Sequence, residues 1–286
     1  MKHWLAIDTS FLVKRAFHGA ARRDPEAAVI TAVLDAQALF REHAATALIW
    51  AFDAKPYKRS VVFPGYKVKP LPKHPDQTEA EVLAAEEHLR VLTARLAEEY
   101  LPALGYKNVF RFDGYEADDV IAQFCLDAPG DRITIASRDR DLLQLVGPHV
   151  ALYDPVTRHT MTHSLFCNHY GLHPTEWPEV KAIAGCASDR LPGCAGVGES
   201  TAVRYLTGEL TGGKRLTDIR AFLKTPEYER NLKLVTLPYG GYVPEVLTPL
   251  VDPVQPPGAW RAFCDNLDRP HLGMSPADSQ AWRSLD

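Results

Sequence analysis

Four short apolar runs, residues 4–8, 47–52, 133–136 and 150–153, each close on polar or turn residues. Their unbroken apolar character suits strands covered on both faces, as in a parallel sheet. The stretches between them carry helical spacing. One helix is predicted from about residue 25 to 43, with Pro25 at its first position. In another, Val82, Ala85, Leu89, Leu92 and Leu96 recur every three or four residues as one apolar stripe, and the remaining faces are rich in Glu and Arg. That helix should lie on a surface or project from one. The alternation predicts an α/β domain with a mainly parallel sheet, whose ligands bind beyond the carboxyl ends of the strands.

After about residue 155 the strand signals fade. Helical segments at 176–183, 199–206, 216–223 and 228–237 follow, separated by Pro and Gly, and a Pro-rich tail from 243 carries one helix near 260–267. Two parts are therefore expected: 1–165, and a helical region 166–286, with a soft boundary between 155 and 175. A chain of 286 residues can bury a large core, and 46% apolar with 24% charged residues is ordinary for a globular protein. The apolar runs are too short to span a membrane, and the opening MKHWLAID lacks the apolar core of a signal peptide. A cytoplasmic protein with no membrane partner is the expectation. Five cysteines without CxxC spacing are read as reduced core thiols. The net charge of −4 hides a local excess: Lys55, Lys58, Arg59, Lys67, Lys69 and Lys73 fall between 55 and 75 with no acid among them.

Acids gather where the predicted strands end. Asp8 closes the first and Asp53 the second; Glu116, Asp118 and Asp119 stand at a predicted helix start; Asp139 and Asp141 follow the strand at 133–136. Each has a bland explanation alone, as turn former, helix cap or complement to the helix dipole. Together, in the predicted sheet, they fall on one edge, with Asp139 and Asp141 on one side of an extended segment. So many carboxylates repel one another unless cations intervene. Oxygen-only ligation suits hard ions such as Mg²⁺ or Mn²⁺. Two such ions roughly 3.5–4 Å apart can activate water and stabilise a leaving oxygen in phosphoryl displacement.

With these pieces assembled, residues 3–210 resemble the 5′ nuclease family, which includes bacteriophage flap endonucleases and the N-terminal nuclease domain of bacterial DNA polymerase I. The resemblance is carried by the run Asp8 to His18, by Phe52-Asp53, and by Arg59 with Gly65-Tyr66-Lys67. It continues through the runs 114–121 and 137–145, then 185–193 and 196–202. It implies a PIN-like, Rossmann-like catalytic domain with a helical arch over about 55–100. A helix-three-turn-helix, helix-hairpin-helix in type, would fall at about 182–206 in the helical C-terminal region. It implies that Asp8, Asp53, Glu116, Asp118, Asp119, Asp139, Asp141 and the outer Asp189 hold two or more Mg²⁺ or Mn²⁺ ions. Lys67 would position the scissile phosphate and Arg59 contact phosphate. Tyr66 is either a base-stacking platform or a packed loop aromatic. Arg15, Phe17 and His18 match residues near the cleft, with a structural role for Phe17 equally open. Lys69 and Lys73 would attract the phosphate backbone. Gly196, Val197, Gly198, Ser200 and Thr201 would grip the duplex at a helix start, with K⁺ bound in the hairpin.

The implied activity is a metal-dependent 5′→3′ exonuclease and flap endonuclease acting on DNA with a 5′ flap or a 5′ end at a junction. RNA in RNA–DNA hybrids is a further possible substrate, and the enzyme would work as a monomer. The lack of a polymerase segment after residue 286 suggests a stand-alone nuclease of phage or bacterial type. Three departures stand out: Cys186 where the family carries Asp, Arg190 where it carries Asn, and Pro70 in place of a basic residue. They leave two alternatives, a DNA-structure-binding protein with weakened catalysis and a PIN-like RNase.

Overall fold

The computed structural model describes residues 1–19, 24–68, 78–241, 247, 256 and 258–270. The first elements in chain order are β1 (His3–Asp8), α1 (Thr9–His18), α2 (Pro25–Glu42), β2 (Ala47–Phe52) and α3 (Arg59–Val62). Next come α4 (Glu79–Arg95), a π-helical turn Leu96–Tyr100, α5 (Leu101–Ala103) and β3 (Val109–Arg111). They are followed by α6 (Ala117–Asp127), β4 (Arg132–Ala136), a 3₁₀ turn Arg140–Leu145, β5 (Val150–Asp154) and β6 (His159–Met161). Then come α7 (His163–Tyr170), α8 (Trp177–Ala184), β7 (Gly185–Cys186), β8 (Leu191–Pro192) and α9 (Glu199–Leu206). The last are α10 (Lys214–Phe222), α11 (Pro226–Val235) and α12 (Ala259–Asn266). Contacts divide the chain into two compact units that interleave in sequence: 2–52, 71–111 and 248–286 form one, and 1, 53–70 and 112–247 the other.

In the unit that contains β1, strands pair in parallel, Trp4 with Ala47 through Asp8 with Ala51, and Trp50 with Val109 through Phe52 with Arg111. Every residue of β1 and β2 is buried, as unbroken apolar runs require. Helix α2 starts with Pro25 at its first turn, its cap Asp24 accepting the Ala27 N–H at 3.0 Å. A capping box between Thr78 and Glu81 starts α4, which packs on α2 and buries Val82, Leu89 and Leu92. Its other faces are wet and carry pairs such as Arg90–Glu87.

The second unit pairs β4 with β5 in parallel, Ile133 with Val150 through Ala136 with Tyr153, and adds β6 antiparallel to β5. Three of the four pairings described in the larger strands are thus parallel, which is the mainly parallel sheet expected. Strands β3 and β6, three residues each, are too short to leave a periodic signal.

The helices after β6 are organised around Trp177. It is fully buried against Phe166 and Tyr170 and donates its indole N–H to the Arg140 carbonyl at 2.7 Å. From α8 the chain runs through the β7–β8 hairpin into α9. The turn is tight. Gly185 has φ +79°, and a Cβ on Gly185 or Gly193 would meet opposing backbone at 2.4 or 2.2 Å. Among the described residues no helix is long and apolar enough to cross a membrane, and all five cysteines are free thiols.

Candidate metal centre

The site in the second unit grows from the start of α6. Gly114, at φ +83°, turns the chain against Lys58, and Glu116 becomes the helix N-cap. Asp119, three residues on, accepts the Glu116 N–H at 3.0 Å. Arg59 then fixes this turn. Its guanidinium binds both oxygens of Asp119 at 2.5 and 2.8 Å, lies 3.0 Å from Glu116, and donates through Nε to the Leu234 carbonyl at 2.9 Å. Only 2% of Arg59 is exposed, so three acceptors replace its lost water.

Glu116 is the meeting point. The Tyr66 hydroxyl donates to one of its oxygens at 2.6 Å and the Lys67 ammonium to the other. Burial raises the pKa of Glu116, while Lys67 and Arg59 pull it back and Asp53 adds to the rise. Asp53, the residue after β2, accepts the Ala117 N–H at 3.0 Å. Lys67 adopts φ +52°, its N–H bonded to the Asp189 carbonyl at 3.0 Å and its ammonium 3.6 Å from the Asp189 carboxylate. Burial alone would lower this lysine, yet Glu116 first, then Tyr66 and Asp189, hold its pKa well above the ordinary value.

A second lysine repeats the pattern. Asp139 caps the 3₁₀ turn by accepting the Asp141 N–H at 2.8 Å. Asp141, Cys186 and Asp189 bring ligand atoms within 4.8 Å of one another, all three residues buried. Lys181 of α8 stands 2.8 Å from Asp141 and 3.2 Å from Glu199, and Glu199 continues to Arg140 at 2.6 Å. Burial and neighbouring Asp139 push Asp141 up to about 7, Lys181 offsetting part of this and Asp189 adding to it. Burial, with Asp141 and Asp189 adding to it, likewise pushes the Cys186 thiol up to about 12. Charged groups thus run from Glu116 through Lys67 to Asp189 and from Asp141 through Lys181 to Glu199, the two acids Asp189 and Asp141 facing each other between the two runs. Beneath them lies an apolar floor of Tyr57, Tyr66, Ala182, Cys186, Leu191, Leu234 and Val235.

The structure redirects several expectations. Asp119 accepts four donors, two from Arg59, the Glu116 N–H and the Tyr239 N–H at 2.7 Å, which leaves no lone pair for a cation. It is a structural anchor rather than a ligand. Arg59 is equally committed and buried, so it does not reach a phosphate. Tyr66 is 5% exposed and bonded to Glu116, the packed-aromatic alternative rather than a stacking platform. Val197 is buried and its N–H goes to the Cys194 carbonyl at 3.0 Å, so that N–H is already used within the protein. Asp139 and Asp141 come together through a capped 3₁₀ turn, not an extended segment.

Asp118 is half-buried in the first turn of α6. Gly196, at φ +71°, and Gly198 have open space where a Cβ would stand, with Ser200 and Thr201 in the first turn of α9. In the other unit, Asp8 caps α1 by accepting the Phe11 N–H at 2.9 Å, Arg15 pairs with Asp35 at 2.5 Å, and His18 lies 3.8 Å from Glu86. Phe17 is core, its structural alternative. Of the stretch read as an arch, α4 rests on α2; Lys69 and Lys73 lie outside the described residues.

Sequence reasoning missed Lys181, Gln144 and Asn231. Lys181 had a signal, a single cation inside the apolar helix WPEVKAIA. Gln144, bonding the carbonyls of Asp141 at 2.7 Å and Val235 at 3.0 Å, had none.

Residues 3–171 match the model of the 5′-3′ exonuclease N-terminal resolvase-like domain. The chain is 33% identical over 207 residues to the thermostable DNA polymerase I of Thermus thermophilus, covering 71% of this chain and 23% of that protein. It thus spans about a quarter of that polymerase. With the 5′-3′ exonuclease of Aquifex aeolicus it shares 30% identity, covering 72% and 69% of the two chains. In fold it is similar to the T5 5′-exonuclease with bound zinc, at TM-score 0.67, 20% identity and coverage of 95% and 100%. The catalytic core of Rad2 in complex with DNA substrate is similar at TM-score 0.55 and 14% identity, with 100% and 92% covered.

Proposed function

Because this chain belongs to the 5′-3′ exonuclease family, we propose that it is a divalent-metal-dependent 5′→3′ exonuclease and flap endonuclease that hydrolyses phosphodiester bonds of DNA. The observation that carries the reading is the carboxylate series Asp53, Glu116, Asp189, Asp141 and Asp139, in which Lys67 bridges Glu116 and Asp189 and Lys181 contacts Asp141. Cations fit the residues present. Asp141 Oδ1 is buried without a hydrogen bond of good geometry, the Lys181 ammonium standing 2.8 Å away, and burial followed by the Asp139 charge raises its pKa.

Asp53, Glu116 and Asp118 would hold an inner ion, and Asp139, Asp141 and Asp189 an outer one; Mg²⁺ or Mn²⁺ suits the oxygen donors. Bound there, such ions supply Lewis-acid stabilisation and a nucleophilic water. The protein's own contribution is positional. Lys67, held on Glu116 and Asp189, sits where an arriving phosphate can draw it away, and its charge then faces the developing oxyanion. Lys55 and Lys58 add sequence-independent attraction for the strand. The α9 start after Gly196 and Gly198 would contact duplex phosphate, with K⁺ in the hairpin and the α8–α9 pair acting as a helix-three-turn-helix. The T5 D15 flap endonuclease has been seen with DNA and metal ions, which favours flap DNA as the substrate here. Cleavage of RNA–DNA hybrids, action as a monomer, and a division into residues 1–165 and 166–286 belong to the same proposal.

Digestion of a 5′-end-labelled flap in Mg²⁺ and Mn²⁺ tests it. Cutting near the junction that stops in EDTA is expected, and undiminished cutting in EDTA would refute the metal reading. One observation favours a second reading, a DNA-structure-binding protein without turnover: Cys186 and the Lys181 ammonium stand at the outer position. Tight flap binding with no product even in Mn²⁺ would select it.

A further inference from the structure

The outer position differs in kind from an oxygen-only site. Asp141, Cys186 and Asp189 converge within 4.8 Å, and buried Asp141 Oδ1, which makes no hydrogen bond, has only the Lys181 ammonium 2.8 Å away as a counter-charge among the described residues. Two carboxylate oxygens and one sulfur are the donors of a borderline cation. Zn²⁺ takes Cys sulfur at about 2.3 Å and carboxylate oxygen at about 2.0–2.2 Å, whereas Mg²⁺ disfavours sulfur. The spacing needs only small side-chain movements to close on such an ion.

Lys181 does not block it. Its ammonium already contacts Glu199 at 3.2 Å, so it keeps a carboxylate partner when a cation takes Asp141. Ser188 Oγ, 2.8 Å from the sulfur, gives the displaced thiol proton a route outward. We propose that Asp141, Cys186 and Asp189 form a mixed thiolate–carboxylate site that selects a thiophilic divalent cation of the Zn²⁺ class over Mg²⁺ at this chain's outer position. On binding, Cys186 gives its proton to water and its sulfur lone pair to the ion. The inference rests on the metal reading above and specifies which ion one half of it takes.

Cadmium is the probe, added to EDTA-stripped protein while the ultraviolet thiolate-to-cadmium charge-transfer band is recorded. Saturable growth of the band is expected in the native protein. In Cys186→Ser the band should vanish, with Cd²⁺ affinity falling roughly tenfold or more as the soft donor is lost. Asp141→Asn keeps the thiol and should retain the band at saturation with weaker binding, so the test survives if the serine variant fails to fold. Cys186→Asp should lose the band and gain Mn²⁺ affinity relative to Cd²⁺. No band in the native protein, an undiminished band in Cys186→Ser, or unchanged Cd²⁺ affinity in Asp141→Asn overturns the proposal. Flap cleavage in Mg²⁺, measured on the same preparation, separates the two readings. Cleavage without the band sinks only the mixed site, and the band without cleavage in any metal sinks only the nuclease.

Discussion

Asp119 and Glu116 stand three residues apart on one helical turn, yet one is an anchor and the other a candidate ligand. The difference is donor count. Four hydrogen-bond donors saturate Asp119, whereas one oxygen of Glu116 is held by the ammonium of Lys67, a partly exposed side chain that can swing away. Replacing Asp119 by Ala removes the bidentate partner of the buried Arg59 guanidinium and leaves it only Glu116 and the Leu234 carbonyl, and a buried pair broken this way costs about 3–5 kcal/mol. Urea denaturation should show that loss, and a change under about 1 kcal/mol would mean that water reaches Arg59. Lys67→Ala should behave in the opposite manner. Glu116 keeps Arg59, so the fold persists, while cleavage falls by about 10²–10³-fold at nearly constant flap affinity. A matching fall in binding would make Lys67 a docking residue instead.

At the scale of elements, the hairpin β7–β8 carries Cys186 and Asp189, and its position is set from α11. Asn231, fully buried, donates to the carbonyls of Ala182 at 3.2 Å and Pro192 at 2.8 Å, bridging the end of α8 and the far strand of the hairpin. Asn231→Leu removes the donor from both carbonyls and should cost about 1–3 kcal/mol, chiefly through the buried Ala182 carbonyl, since Pro192 is exposed to water. Its metal affinity at the outer position should fall together with its urea midpoint, whereas Cys186→Ser lowers only the first. Gly193→Ala is expected to be worse, because its Cβ meets the Ala184 carbonyl carbon at 2.2 Å and the opposing strands must part. Four strands were legible as unbroken apolar runs, and α2 and α4 from helical spacing. The helix at 199–206 coincides with its prediction, and α2 with its proline start lies within a residue of it. A partner such as Asn231, by contrast, lies 39 and 49 residues from its two acceptors, and no local pattern announces such a bond.

For the whole molecule, the ion-free acidic cluster makes stability depend on pH in a definite direction. Asp141 carries a folded pKa raised to about 7 above its ordinary 3.8, so the folded state binds its proton more tightly than the unfolded state. The benefit is complete below the unfolded value and is lost as pH rises toward 7, by up to about 4 kcal/mol at 1.36 kcal/mol per pKa unit. In EDTA, native protein should therefore lose stability between about pH 4 and 7 relative to Asp141→Asn, and a divalent cation should restore it. Parallel pH profiles of the two would expose an Asp141 that titrates as if in water.

From sequence alone came the α/β class, the mainly parallel sheet and the gathering of Glu116 and Asp141, because strand ends and helix starts fix where a side chain emerges from the backbone; Asp189 came only from the family resemblance. Only tertiary structure decided that Asp119 and Arg59 neutralise each other, that Tyr66 is packed, and that Lys181 reaches Asp141. Those roles depend on which distant donors arrive at each carboxylate, and burial sets the strength of the pairing once they do.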